Sequence, residues 1–421
     1  MNYIVRQVSD QQIHLILTFQ GRLNEDILAQ AVRLSLDEEL VLRSRFVAHP
    51  RRPYWQAPAH PDGASALQIV DAGQDDASLW RFITCPSDPC SDAVLQLRLF
   101  RAATDVLCIK LNHAAGDAAA CKDYAYRLAA LYRQLSSDPH AVPACANSAG
   151  RGQGRSLKAF FWRAGPLALL RAYRQRLSPT PAWGFPAPAR ECPQRFFAVR
   201  RFEPAQLLSI KAYGRRFGAT VNDVLIAAFF RAMFTLVDAP LGVPLPIAMT
   251  VDMRRYRPSA AHLPIGNFSS SVFPALMRIR DESFEGTLQR VVAMTQAFKA
   301  HHPGLAAAVY QEMSVWRGFA QAQQHQQFMY GMAATYGTFY PMFTNFGVID
   351  AQQLDFGTPA LTDAYMTSPI FFPPGFMAGV NTYRDRLTLT VGGYDAMPDR
   401  ELIERFVQLF ASDIEATIAA A

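Results

Sequence analysis

The residues best suited to chemistry are Asn112-His113-Ala114-Ala115-Gly116-Asp117. They follow a stretch over 105–111 that is rich in Val, Leu and Ile and precede a helical pattern that begins at Ala118. An imidazole at such a strand end is held by rigid elements on both sides. With an ordinary pKa near ~6.5 it can act as a general base near neutral pH. Ala114, Ala115 and Gly116 are small and leave room for a substrate to approach. The same residues also suit a structural role: Asp117 stands where a helix N-cap belongs, and a histidine at a strand end can be a satisfied structural residue. Spacing alone leaves both readings open.

Other candidates carry less. His301-His302-Pro303 has no aspartate four residues on and follows a helix whose last turn favours positive charge. Gly392-Gly393 lacks the following helix that would cradle a phosphate. The six cysteines, at 85, 90, 108, 121, 145 and 192, form no Cys-x-x-Cys set with a histidine pair, so no metal site is expected and free thiols are. Residues 157–177 place Lys158, Arg163, Arg171, Arg174 and Arg176 among aromatic and aliphatic side chains. Such a segment either packs its apolar face on its own domain, the favoured reading, or lies on a membrane surface.

The elements that must position His113 are legible from periodicity. Strands are expected over 12–19, 44–48, 93–101 and 105–111, with Asn24 capping a helix through Leu28, Ala31, Val32 and Leu36 and a long helix over 118–135. Strands alternating with helices predict an α/β sandwich. Residues 178–194 hold five prolines and mark a boundary, giving a first lobe over 1–177, a linker over 178–194 and a second lobe over 195–421. In the second lobe, strands are expected over 195–202, 245–253, 269–273, 343–349 and 386–394. Helices are expected after Pro204, after Thr220, over 284–300 and after Asp399.

The 421 residues suggest two or three domains. With 50% hydrophobic and 18% charged residues, the chain has large buried cores and is not disordered. A net charge of +6, with basic clusters of two or three residues scattered along the chain, is no nucleic-acid signature. The chain has no uninterrupted apolar window of ~18 residues and no signal pattern in MNYIVRQVSD, so a cytoplasmic protein is expected.

His113-x-x-x-Asp117 after a strand resembles the signature of the chloramphenicol-acetyltransferase-like superfamily. That group includes nonribosomal-peptide condensation domains, plant acyltransferases with an HxxxD motif, and bacterial alcohol acyltransferases and wax-ester synthases. The condensation-domain form is His-His-x-x-x-Asp-Gly; Asn112 replaces the first His and Ala118 the final Gly. Further matches fall in the right order. Residues 21–46 end in a Leu-Arg-x-Arg-Phe element. TVNDVLIAA (220–228) resembles the helix opening the second lobe, and VDMRR (251–255) the strand end whose arginine pairs with the motif aspartate. Thr344-Asn345-Phe346 and Asp355-Phe356-Gly357 resemble the plant branch's Thr-Ser-Trp and Asp-Phe-Gly-Trp-Gly elements, without the Trp and second Gly of the latter.

The resemblance implies two α/β sandwich lobes in a V, with a tunnel at their interface. It implies a free-standing, condensation-like acyltransferase with His113 as general base. Asp117 would be paired structurally with Arg254, or failing that with Arg255, and Thr344 would be an oxyanion donor unless it is a strand-end threonine satisfied by backbone. Asn112, Gly116, Asn345 and Tyr336 are expected along the substrate path. No permanently bound cofactor is expected. The co-substrate would be a thioester of CoA or of a carrier protein's phosphopantetheine, and the acceptor a small alcohol or amine. Nucleic acid is not an expected partner, and membrane association is not favoured. The departures at Asn112 and Ala118 leave an inactive recruitment module as the alternative, and the basic segment leaves a membrane-associated lipid or wax-ester acyltransferase.

Overall fold

The computed structural model describes residues 2–57, 66–71, 73, 76–139, 160–161, 164–174, 181–188, 190–256, 264–300, 302–316 and 318–419. Its strands are β1 Gln12–Phe19, β2 Arg45–Val47, β3 Tyr54–Gln56, β4 Leu67–Asp71, β5 Leu95–Arg101, β6 Val106–Asn112, β7 Arg195–Phe202, β8 Pro244–Pro246, β9 Ala248–Asp252, β10 Ser269–Val272, β11 Ala275–Met277, β12 Met342–Ile349, β13 Leu361–Thr367, β14 Met377–Tyr383 and β15 Arg386–Tyr394. Its helices are α1 Glu25–Glu38, α2 Ala77–Thr84, α3 Ala118–Ser137, α4 Pro166–Arg174, α5 Pro204–Arg216, α6 Val221–Leu236, α7 Phe284–Lys299, α8 Leu305–Trp316, α9 Phe319–Tyr336 and α10 Asp399–Ala419.

Local chemistry sets several helix starts. Asn24 accepts from the Ile27 amide, and Ser283 accepts from that of Gly286. Thr220 and Asp223 form a reciprocal capping box that fixes the start of α6. The expected strand over 245–253 is instead β8 and β9. Pro244 and Pro246 bring no amide hydrogens to a ladder, so β8 pairs only with β11 and stays out of the main sheet. Of the expected helix over 157–177, Pro166–Arg174 forms α4, entered through Gly165 at φ 80°. Residues 157–159, 162–163 and 175–177 lie outside the described residues, as do 178–180 and 189 of the expected linker and His301.

Two sheets organise the molecule, in the orders β13-β1-β6-β5-β4 and β10-β9-β12-β14-β15-β7. The first packs Ile13, Leu15, Leu17, Ile109 and Leu111 against α1 and α3. The second packs Phe343, Ala378, Val380, Leu389 and Val391 against α5, α6 and α10. Two features revise the division at 178–194. Trp183, Phe185 and Ala187 are buried in the second core, and the Trp183 indole donates to the Pro246 carbonyl at 2.6 Å, so this stretch belongs to the second lobe's packing and is no free spacer. Strand β13, from the C-terminal half, pairs antiparallel with β1 and completes the first sheet. The lobes are therefore not consecutive segments of chain, and the crossing places their shared boundary beside β1 and β6, the strands that lead to His113.

Candidate active site

His113 follows β6 directly. Its backbone amide donates to the Gln11 carbonyl at 2.7 Å, fixing the loop to the residue before β1. The ring Nδ1 lies 2.9 Å from the Gly116 carbonyl oxygen. A carbonyl only accepts, so Nδ1 carries the hydrogen, and the lone pair of the neutral ring falls on Nε2. No hydrogen bond to a described residue occupies Nε2. Burial holds the imidazole below its ordinary value of 6.5, opposed by the Asp117 carboxylate and the Gly116 carbonyl. A ring that is neutral near pH 7, with its hydrogen on Nδ1, is the form a general base needs.

Asp117 is buried and accepts from both lobes. Oδ1 takes the Ala120 amide at 2.9 Å, the N-cap bond of α3, and Arg254 Nη2 at 3.0 Å. Oδ2 takes Arg254 Nη1 at 2.9 Å, the Phe268 amide at 2.7 Å and the Ser269 hydroxyl at 3.4 Å. Burial pushes this carboxyl up, but the guanidinium and the amide donors outweigh it and hold it below the ordinary value of 3.8. Arg254 also donates to Asp252 at 3.2 Å and to the Gly266 carbonyl at 3.3 Å, and its guanidinium lies 4.9 Å from the centre of the Phe268 ring. Arg255 is exposed and faces Tyr256 instead. Asp117 is thus both the cap and the ion-pair partner, and its bonds are to Arg254, Ala120, Phe268 and Ser269 rather than to the imidazole.

The remaining candidates divide by the face of the sheet they occupy. Thr344 on β12 is buried, and its hydroxyl lies 2.6 Å from that of Thr250 on β9. Thr250 and Asp252 share a face of β9, and Ser269, which bonds Asp117, lies directly opposite Asp252. The threonine pair therefore lies on the face of β9 that carries Asp252, one strand repeat (roughly 7 Å) from that Arg254 partner. Asn345, the next residue, points to the other face, where its amide donates to Asn222 at the start of α6 at 3.0 Å. Tyr336 ends α9 and is 68% exposed; no hydrogen bond among the described residues joins it to the His113 loop. Asn345 and Tyr336 are thus not brought to the loop. Alternation along β12 explains the first, and the length of α9 carries Tyr336 away from the Phe319 end, which packs with Tyr3 and Phe46 beside Ala114.

Asn112 is buried. Its Oδ1 accepts from the Ala114 amide at 3.0 Å, so it shapes the turn, and it forms one wall of a cleft of about 160 Å³ with Tyr3, Arg6, Asp10, Gln11 and Asp88. His113 does not line that cleft. Gly116 is needed for space: an added Cβ would lie 3.0 Å from both Ala120 Cβ and Leu111 Cδ2.

Sequence reasoning missed Asn267. Its side-chain amide donates to the His113 carbonyl at 3.3 Å and lies 3.2 Å from Nδ1, while its Oδ1 accepts from the Ser269 amide. It holds the loop from 154 residues away through main-chain atoms, and Asn267 falls in no spaced pattern with His113. Thr250 was missed for the same reason. Lys122 of α3 donates to the Phe346 and Val348 carbonyls at 2.7 and 3.1 Å and ties the helix after the motif to β12. Asp355-Phe356-Gly357 is structural: Asp355 pairs with Arg133 at 2.8 Å, and Phe356 is buried against Phe19 and Tyr132. Among the described residues no cluster of His, Cys, Asp and Glu suits a metal ion, and no single helix is long and apolar enough to cross a membrane.

No protein-family model matches the sequence, and no curated protein matches it. Solved structures do match by fold. The first condensation domain of the CDA synthetase is 18% identical over 98% of this chain and 93% of its own, with a TM-score of 0.71. Polyketide synthase associated protein 5 from Mycobacterium tuberculosis is 16% identical over 98% and 96%, with a TM-score of 0.64. The cyclization-docking bidomain of a nonribosomal peptide synthetase from Sorangium cellulosum is 16% identical over 97% and 80%, with a TM-score of 0.62. At these identities the likeness is one of fold, and it agrees with the fold implied by the HxxxD motif. The chain has the two-lobed α/β fold of these condensation domains.

Proposed function

We propose that the protein is an acyltransferase that moves an acyl group from a thioester to an alcohol or amine, with His113 as general base. The observation that carries this reading is the His113 ring, neutral, with Nδ1 donating to the Gly116 carbonyl and Nε2 left as the basic atom. Nε2 takes the proton of the acceptor hydroxyl or amine as its oxygen or nitrogen attacks the thioester carbonyl. The tetrahedral intermediate collapses, the C–S bond breaks, and the proton passes from Nε2 to the departing thiolate. The products are an ester or amide and a free thiol, and no acyl-enzyme forms.

Asp117 and Arg254 serve as positioning residues in this reading. They lock the start of α3 to the second lobe and so fix where the loop presents its ring. The Thr344–Thr250 pair shares one hydroxyl hydrogen between two oxygens, which leaves the pair a second hydroxyl hydrogen to donate. Aimed at the intermediate's oxyanion, such a donor contributes about 3–4 kcal/mol. The donor is acyl-CoA or an acyl group on a carrier protein's phosphopantetheine, reaching His113 through the lobe junction from the side opposite the acceptor.

The test is a panel of acyl-CoAs and acyl-carrier proteins offered with small alcohols and amines, read by thiol release and by the mass of the product. Product formation with an unchanged enzyme mass supports direct transfer. Stable binding of a carrier protein with no turnover of any thioester would favour a recruitment module instead.

A further inference from the structure

The net positive charge of this chain comes from one segment. Residues 139–190 contain eight arginines and lysines and no aspartate or glutamate, so the other residues, with 33 basic and 35 acidic, carry a net charge of −2. The described part of that segment includes α4, where Arg171 and Arg174 are both exposed. Arg190, at the far end, is paired with Asp399.

The same helix turns apolar side chains to solvent. Leu167 is 71% and Tyr173 62% exposed, while Ala168, Leu169 and Ala172 face inward. Its packing neighbour α8 repeats the pattern, with Tyr310, Met313 and Trp316 three residues apart along one side and Trp316 76% exposed. Glu312, the one acidic residue on the two helices, is half-buried and already engaged. Large apolar side chains that project from a helix pair, with arginines beside them, describe a surface helix with one foot in hydrocarbon and its charge among anionic headgroups. Trp and Tyr are the residues favoured at that boundary.

The pair also connects to the site. Phe160, Met253, Phe268, Leu305 and Ala308 form one buried cluster beneath α4 and α8. Phe268 gives its amide to Asp117 and its ring to Arg254. The exposed face is thus separated from the Asp117–Arg254 pair by one layer of side chains.

We propose that the outer face of α4 and α8 docks on an anionic lipid surface, holding the lobe junction next to the bilayer. An acidic protein would also match the arginines and is the other outcome of the test below; the lipid surface is preferred because Leu167, Tyr173 and Trp316 project beside Arg171 and Arg174, the mix of apolar, aromatic and basic side chains of a bilayer boundary.

The experiment is flotation of the full chain with vesicles of phosphatidylcholine alone and of phosphatidylcholine mixed with phosphatidylglycerol. Binding is read without any acyl transfer, so its outcome is independent of the chemistry proposed above. The mixed vesicles should carry the protein and release it as salt rises. Arg171→Glu with Arg174→Glu should weaken binding roughly tenfold or more. Vesicles of phosphatidylcholine alone should carry much less, and Leu167→Ser with Trp316→Ser should weaken binding to the mixed vesicles comparably, with an unchanged thermal transition. A chain that stays unbound on mixed vesicles at low salt, or variants that float as well as the parent, would overturn the proposal. Loss of an acidic carrier protein by the arginine variants without any vesicle binding would overturn it in favour of a protein partner.

Discussion

Asp117 and Arg254, separated by 137 residues, meet in a two-pronged ion pair with contacts of 2.9 and 3.0 Å across the boundary between the lobes. The aspartate is almost fully buried and the arginine side chain 15% exposed. Breaking such a pair from one side leaves an uncompensated charge, which typically costs about 3–5 kcal/mol. Asp117→Asn should therefore lower the unfolding free energy by about 3 kcal/mol. Arg254→Leu alone should do comparable damage, and the double variant should fall well short of the sum. Denaturant unfolding of all four proteins gives the coupling; additive effects would mean that the two groups do not interact.

The His113 ring sets the pH dependence. Burial depresses its folded pKa below 6.5, so the folded state binds fewer protons than the unfolded one as pH falls through that window. The stability linked to this ring is fully present above the unfolded value and is lost as pH falls through the folded one. The buried His14, also depressed, adds to it with the same sign. Activity follows His113 alone: kcat/KM should rise with pH along a limb centred below 6.5 and stay flat above it. An initial-rate profile between about pH 5 and pH 8 checks this, and a rising limb centred above 6.5 would contradict it.

Gly116 has no room for a methyl group, with Ala120, Leu111 and Ile265 all within 3.5 Å of where a Cβ would sit. Gly116→Ala should destabilise the fold by about 1–3 kcal/mol through overpacking. It should also lower kcat more than it raises KM, because the Gly116 carbonyl sets the imidazole's orientation. Thermal unfolding with steady-state kinetics separates the two effects. A destabilised variant with unchanged kcat would mean that the carbonyl does not position the ring.

Much of this arrangement was legible before the structure. The strand over 12–19, the caps at Asn24 and Thr220, and the start of α3 after Asp117 all rest on local signals, either alternation or a side chain that accepts from the next turn. The pairing of Asp117 with Arg254 came from the motif and needed no contact map. What stayed hidden is non-local. The placement of β13 beside β1 depends on a crossing that periodicity cannot show. Asn267 acts on His113 through its carbonyl, and any amide side chain of the right reach would read the same in sequence. Trp183 and Phe185 sit in a proline-rich stretch that reads as a linker, and they are buried because the second lobe has a place for them. Helices α8 and α9 went unrecognised because their apolar residues do not mark one buried stripe; many of them face solvent.

The most direct test of His113 as the general base is the thiol-release rate of His113→Gln, measured beside the parent protein on the same thioester and acceptor. Glutamine keeps a polar side chain at the position but has no basic nitrogen. With His113 as the base, the rate should fall roughly 100-fold or more with an unchanged thermal transition. Turnover retained within about tenfold of the parent, in a folded variant, would contradict it and remove His113 as the base.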